Sequence, residues 1–264
     1  MPFIITRKTS APGINCSIKA RDFFGPLAFL IILLITAGLV FSQQTTALTQ
    51  QELEALRAEL TAKTQTVTSG GDISTEDLVA LLKRGNSGEL YQETGDLAES
   101  ALKRFIDNAV IYNEYGVACY HLGEVKDALS AFEKAINLDS AYGEPHANLA
   151  VLYRRKGWYE KAEEESRLAL DLEPNNGKIW YNLGITLLRL SRNDEAMECF
   201  KQAIANEPEN APPYREVAVL LITGEKYADA LPYLRKYVEL DPNAQALTDK
   251  LIQQIENMVS GGGK

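Results

Sequence analysis

The chain has 264 residues, 45% of them hydrophobic, and a formal net charge of −9. That apolar fraction suffices for a packed core and excludes wholesale disorder. Residues 1–42 carry Arg7, Lys8, Lys19 and Arg21 against Asp22, a balance of +3, and −9 less +3 leaves −12 for the rest. A body so acidic argues against nucleic acid as a partner, because phosphate binding runs on Lys and Arg clusters.

The basic stretch 1–22 precedes residues 23–41, FFGPLAFLIILLITAGLVF, in which Thr36 carries the sole hydrogen-bonding side chain. As a helix this run reaches about 28 Å, close to the ~30 Å hydrocarbon core of a bilayer. The flank after it, Ser42 to Gln50, is uncharged. Positive-inside logic therefore places 1–22 in the cytoplasm and the rest beyond an inner or plasma membrane. A cleaved signal peptide has the same order of parts, with Val40-Phe41-Ser42 as a cleavage context and a periplasmic product. Against it, the apolar run exceeds the ~7–15 residues of a signal core. No Cys ends the run, which excludes a lipoprotein, and nothing nearby would cover a core helix on all sides. We expect a single-pass anchor, with signal cleavage as the alternative.

Residues 43–73 read as a linker. Thr49 with Glu52 is a capping-box pair, and Leu53, Leu56 and Leu60 follow at helical spacing, so a short amphipathic helix of about four turns is expected. It serves as a spacer or as a self-association seam. Residues 61–72, rich in Thr, Ser and Gly, read as flexible. In 74–108, Gly88, Tyr91 and Gly95 echo Gly116, Cys119 and Gly123, but Gly95 to Gly123 is 28 residues, which predicts a divergent, shortened unit.

From 109 onward the chain repeats. Ala128, Ala162, Ala196 and Ala230 lie 34 apart. Four residues after them come Phe132, Ser166, Phe200 and Leu234; twelve after them come Ser140, Pro174, Pro208 and Pro242. Sixteen before them stand Tyr112, His146, Trp180 and Tyr214, and the small residues Gly116, Ala150, Gly184 and Ala218 recur in the same register. The pattern resembles the tetratricopeptide repeat (TPR), with residues 177–210 its cleanest unit despite Leu187 and Ser191 at an aromatic and a turn-glycine position. The resemblance covers 109–142, 143–176, 177–210 and 211–242, about half the chain. It implies an all-α helical-hairpin solenoid, a right-handed superhelix, preceded here by one transmembrane helix and a helical linker. Two departures stand out in the last unit: Pro232 should kink or delay its second helix, and Tyr237 falls where a small residue is usual, so the repeat must open to seat it. Residues 243–259, with Leu247, Leu251, Ile255 and Met258 on one stripe, read as a solvating C-terminal helix, and 260–264 as a disordered tail.

The resemblance also implies a concave groove lined by the first helix of each unit. Carried onto this register, the groove includes Asn113, Val117, Tyr120 and His121; Asn148, Val151, Arg154 and Arg155; Lys178, Tyr181, Asn182, Ile185 and Arg189; and Arg215, Glu216, Val219 and Ile222. Asn148 and Asn182 match the asparagine that family members use to hold a ligand's backbone. The cations Arg154, Arg155, Lys178, Arg189 and Arg215 either bind an acidic or C-terminal peptide segment of a partner protein or are ordinary solvated and paired side chains. Of the family's two-carboxylate clamp, Asn148 and Lys178 alone fit, while Asn113, Val117 and Asn182 depart from it, which disfavours a cochaperone role.

No nucleophile–base pair, metal constellation or phosphate loop stands in the sequence, so neither catalysis, metal nor cofactor is expected. Cys16, Cys119 and Cys199 form no metal-ligand spacing, and His146 and the two later cysteines read as core fillers. The expected function is a membrane-anchored extracytoplasmic scaffold for protein partners. Two alternatives stay open: a TPR subunit of cytochrome c maturation presenting apocytochrome, although that type usually has more than one span, and a periplasmic cell-envelope protein released by signal cleavage. Oligomeric state and partner identity are not legible.

Overall fold

A computed structural model of the protein describes residues 48–261. The apolar run 23–41 and Cys16 lie outside the described residues. Among the described residues there are twelve α-helices, no strand, and no helix long and apolar enough to cross a membrane.

The first helix, α1 (Gln50–Thr68), opens on the expected capping box: Thr49 Oγ1 accepts from the Glu52 backbone N–H at 3.3 Å, and the Glu52 carboxylate accepts from the Thr49 N–H at 2.8 Å. The helix does not stop at the Thr-rich stretch, contrary to the flexible linker expected there. Thr61, Thr64, Thr66 and Thr68 each donate their hydroxyl to a carbonyl one turn back, at 2.7–3.0 Å, so the polar groups that favour loops are satisfied on the helix itself. Nor is α1 a free spacer. Leu56, Leu60 and Val67 are buried in one cluster with Leu78, Leu82 and Leu97, and α1 packs chiefly on α3.

Five helical hairpins follow: α2 (Thr75–Ser87) with α3 (Tyr91–Leu102), α4 (Ala109–Leu122) with α5 (Val125–Leu138), α6 (Gly143–Arg155) with α7 (Tyr159–Leu172), α8 (Gly177–Arg189) with α9 (Asn193–Asn206), and α10 (Ala211–Thr223) with α11 (Tyr227–Leu240). The first hairpin keeps the 34-residue register rather than a shortened one, since α2 begins 34 residues before α4, and α3 begins 34 before α5. Its turn residue is Glu89, at φ 59°, in register with Gly123 at 83°, Gly157 at 79°, Ser191 at 60° and Glu225 at 59°. All five occupy the left-handed region that closes a helix end, where glycine is the unstrained choice. Gly95, which sequence spacing suggested as the turn, lies inside α3 and faces Ala118 and Leu122 of the next unit.

Each hairpin closes where a small residue of one helix meets a larger one of the other. A Cβ on Gly116 would stand 2.6 Å from the Phe132 ring, and one on Gly184 would stand 2.5 Å from Phe200. The same register holds Ala150 with Ser166 and Ala218 with Leu234, so glycine appears where the partner is aromatic. In the first hairpin the sizes are inverted: Leu82 on α2 and Ala98 on α3, both fully buried. That inversion hid the unit from a search for small residues at fixed places.

The second helices end two residues before Pro174, Pro208 and Pro242. The large aromatics of the next unit tie back to these loops: Trp180 Nε1 donates to the Pro174 carbonyl at 2.8 Å, and the Tyr214 hydroxyl to that of Pro208 at 2.9 Å. Pro232 neither delays nor interrupts α11, which begins in register and has the same 14 residues as α9. Tyr237 is buried between Leu234, Tyr214 and the last helix, α12 (Gln245–Gly261). This helix caps the stack through Leu251 and Ile255, while Met258 is exposed. It continues past 259 into the expected tail, with Ser260 Oγ donating to the Glu256 carbonyl at 2.7 Å.

Candidate functional site: the groove of the repeats

The first helices of successive hairpins stack side by side, so residues 34 apart form ladders along one face. Glu114, Asn148, Asn182 and Glu216 make one ladder, and Val117, Val151, Ile185 and Val219 another. Between α4 and the start of α10 they open into a cleft of ≈ 590 Å³, lined among others by Val117, Tyr120, His121, Asn148, Val151, Lys178, Tyr181 and Asn182. Phe132, Asn210 and Pro212 complete the wall and were not assigned to the groove from sequence. Phe132 entered there as a repeat position four residues after Ala128, and Asn210 and Pro212 carried no reading.

The two ends of the polar ladder are closed by internal pairing. At one end Asn113 is buried and fully engaged. Its amide nitrogen lies 3.3 Å from Glu114 Oε1, Tyr142 Oη and Glu144 Oε2, and its oxygen accepts from Asn148 Nδ2 at 2.9 Å. Asn86 Nδ2 donates to the Glu114 carboxylate at 2.8 Å. Burial pushes the Glu114 pKa up, and the nearby Glu144 charge adds to this against the lowering pull of Asn86, Lys83 and Asn113. At the other end Arg215 is buried against Glu216, to which both Nε and Nη2 donate. Asn113 and Arg215, both read as ligand-facing in sequence, are therefore structural partners. No sequence signal predicts the Arg215–Glu216 pair, because adjacent residues on a helix do not normally face each other.

The middle of the groove is different. Tyr120, Asn148, Lys178, Tyr181 and Asn182 all line the cleft as the repeat register suggests. Arg154 reaches Asn182, its Nη2 donating to Oδ1 at 3.2 Å, while its Nε is buried with no acceptor. Among the described residues no carboxylate lies within ion-pair distance of Arg154. Burial pushes its pKa down, the charge of Arg189 adds to that, and Tyr120 and Tyr181 act in the opposite sense. Arg155 and Arg189 are exposed, and the Arg155 guanidinium lies over the Tyr120 ring, 5.1 Å from its centroid. Tyr120 in turn meets His121 edge-on at 5.1 Å, and His121 stacks on Tyr91 at 4.0 Å, extending an aromatic rim toward the first hairpin. Burial pushes the Tyr181 hydroxyl up to about 12, so it stays a neutral donor across the physiological range.

The other chemistry-bearing side chains serve the fold. Cys119 and Cys199 are buried and free, and burial pushes both thiols up to about 11, so neither presents a thiolate. His146 is more than a filler: its Nδ1 lies 2.7 Å from Glu165 Oε2, linking α6 to α7.

Family models described as tetratricopeptide repeat match residues 109–142, 144–176 and 177–210. A BBSome complex member of Caenorhabditis elegans is 26% identical over 61% of this chain and 36% of its own. A type IV pilus assembly protein of Pseudomonas aeruginosa is 26% identical over 50% of this chain and 53% of its own. The chain thus spans about a third to a half of the length of these relatives. Among solved structures, Pseudomonas aeruginosa PilF superposes with a TM-score of 0.60 at 18% identity, covering 72% of this chain and 92% of that one. YrrB, described as a TPR protein with an unusual peptide-binding site, superposes with a TM-score of 0.50 at 20% identity, covering 65% of this chain and 88% of that one. The 34-residue register, the hairpins and the three matching units agree: residues 109–210 match tetratricopeptide repeats, and the hairpins stack in an all-α solenoid.

Proposed function

We propose that the protein is a membrane-tethered scaffold that holds an extended segment of a partner protein in the cleft between α4 and α10, on the extracytoplasmic side. The observation that carries the reading is the cleft itself. Asn148 and Asn182, from equivalent places in consecutive repeats, stand beside Tyr120 and Tyr181 in a hollow of ≈ 590 Å³. Repeating amides suit a repeating main chain, and aromatic walls supply contact area with little rotamer entropy to lose. The likeness to a type IV pilus assembly protein supports an assembly role. The apolar run 23–41, with its basic flank, supports the tether and the orientation.

The tether is tested by fractionation and protease access. The full chain should stay with membranes through an alkaline wash, and protease added to spheroplasts should digest the repeats. Recovery of a soluble chain beginning near residue 42 would replace the anchor with a cleaved signal, and repeats protected in spheroplasts would reverse the orientation.

A further inference from the structure

Two arginines stand on the groove helices, Arg215 buried and Arg154 half-buried, and the fold treats them differently. Arg215 is matched by Glu216 next to it. Arg154 has a neutral amide oxygen for one donor and nothing for its Nε. Even a partly desolvated guanidinium is costly without a counter-charge, and folded chains normally pair such a group. The orphaned Nε marks a cation held in place by packing rather than by a partner.

Its position says what is missing. Arg154 sits one turn beyond Val151 on α6, the central helix of the cleft; its guanidinium bonds to the cleft-lining Asn182 and interacts with Tyr120 of α4 and Tyr181 of α8, which also line the cleft. Lys178 lines the same cleft, exposed Arg155 lies over its Tyr120, and exposed Arg189 interacts with Arg154, so cations outnumber free carboxylates there. The glutamates of the polar ladder, Glu114 and Glu216, lie at its two ends, each engaged by a neighbour. Tyrosine walls lower the local dielectric, which strengthens a charge-assisted hydrogen bond made between them.

Resting on the peptide-groove reading above, we propose that Arg154 is a specificity-determining anchor that takes the side-chain carboxylate of an internal Asp or Glu of the bound segment. An internal residue is indicated because the cleft continues on both sides of α6, toward Val117 and His121 in one direction and toward Asn210 and Pro212 in the other. A segment engaged at Arg154 therefore has chain before and after the contact.

The test uses the full chain in detergent, immobilised, and pools of N-acetylated, C-amidated nonapeptides. The central position is fixed as Glu or as Gln, and the other positions are randomised. The wild type should retain the Glu-centred pool about tenfold better than the Gln-centred one, the effect of one added charge-assisted contact. Arg154→Gln should retain both pools equally while Arg189→Gln keeps the preference. Arg154→Gln should also fold and melt no lower than wild type by circular dichroism, since it removes a half-buried cation without a counter-charge; failure to fold would show that the arginine is structural and overturn the proposal. Equal retention by the wild type overturns the anchor and leaves the groove reading standing. Retention of neither pool overturns both. Retention confined to the same pools with a free C-terminal carboxylate overturns the internal acid in favour of a chain terminus.

Discussion

At the scale of single residues, side chains that line the cleft and side chains paired within the fold sit along one groove. Glu114 shows the stability side. Burial raises its pKa above the ordinary 4.5, so folding favours its neutral form. The corresponding stability is fully present below pH 4.5 and is lost as pH rises through the raised folded value. Glu114→Gln should remove that dependence: between pH 4.5 and neutrality the melting temperature of wild type should fall relative to the variant. A constant difference across that range would mean that the carboxyl is not desolvated as described. The turn residues give a second prediction. Ser191 and Glu225 hold φ near 60° without being glycine. Ser191→Gly should stabilise by about 0.5–1 kcal/mol in denaturant melts, the net of relieved left-handed strain and added chain entropy. The departure at Ser191 was visible in the sequence as a missing turn glycine. Glu89 and Glu225 were not, because a glutamate carries no mark of the conformation it is forced to adopt.

At the scale of elements, hairpin closure depends on matched volumes across the helix crossing. Gly184→Ala should cost about 1–3 kcal/mol, since its Cβ would fall 2.5 Å from the Phe200 ring. Adding Phe200→Leu should recover part of that loss, because the pair then matches Ala218 with Leu234 in the next unit. Additive losses in the double-mutant cycle would contradict the matched-pair account. The same logic explains what the sequence showed of the fold. Four units were legible because their small residues and prolines stand at fixed spacing. The first hairpin was misread because Leu82 and Ala98 invert the size pattern and no proline ends α3, although its helices keep the register. The end of α1 was misread because a run of threonines favours loops unless their hydroxyls bond back to the helix, as these do. Leu60 belongs to the first hairpin's core, so Leu60→Ala should destabilise the chain by about 2–5 kcal/mol. An unchanged melt with altered sedimentation would return α1 to the role of an association seam.

At the scale of the whole molecule, α1 and α12 close the two ends of a stack whose repeats cannot bury their own faces. Between those caps the cleft is the place where the repeats leave polar groups and aromatic rings facing a hollow instead of a neighbour. Its ladders were legible in part. The register located Tyr120, Asn148, Lys178, Tyr181 and Asn182, which do line the cleft, but could not tell that Arg215 is neutralised by the residue beside it while Arg154 is not. Pairing across a repeat stack depends on rotamers and on the depth of each residue, neither of which the 34-residue period encodes. The most direct measurement of the central claim is site-specific photo-crosslinking in living cells, with a benzophenone residue placed at Tyr181 inside the cleft or at the exposed Leu168 on α7. A groove-binding scaffold gives a discrete adduct from position 181 and none from 168; adducts from 168 alone, or equally from both, would contradict the account.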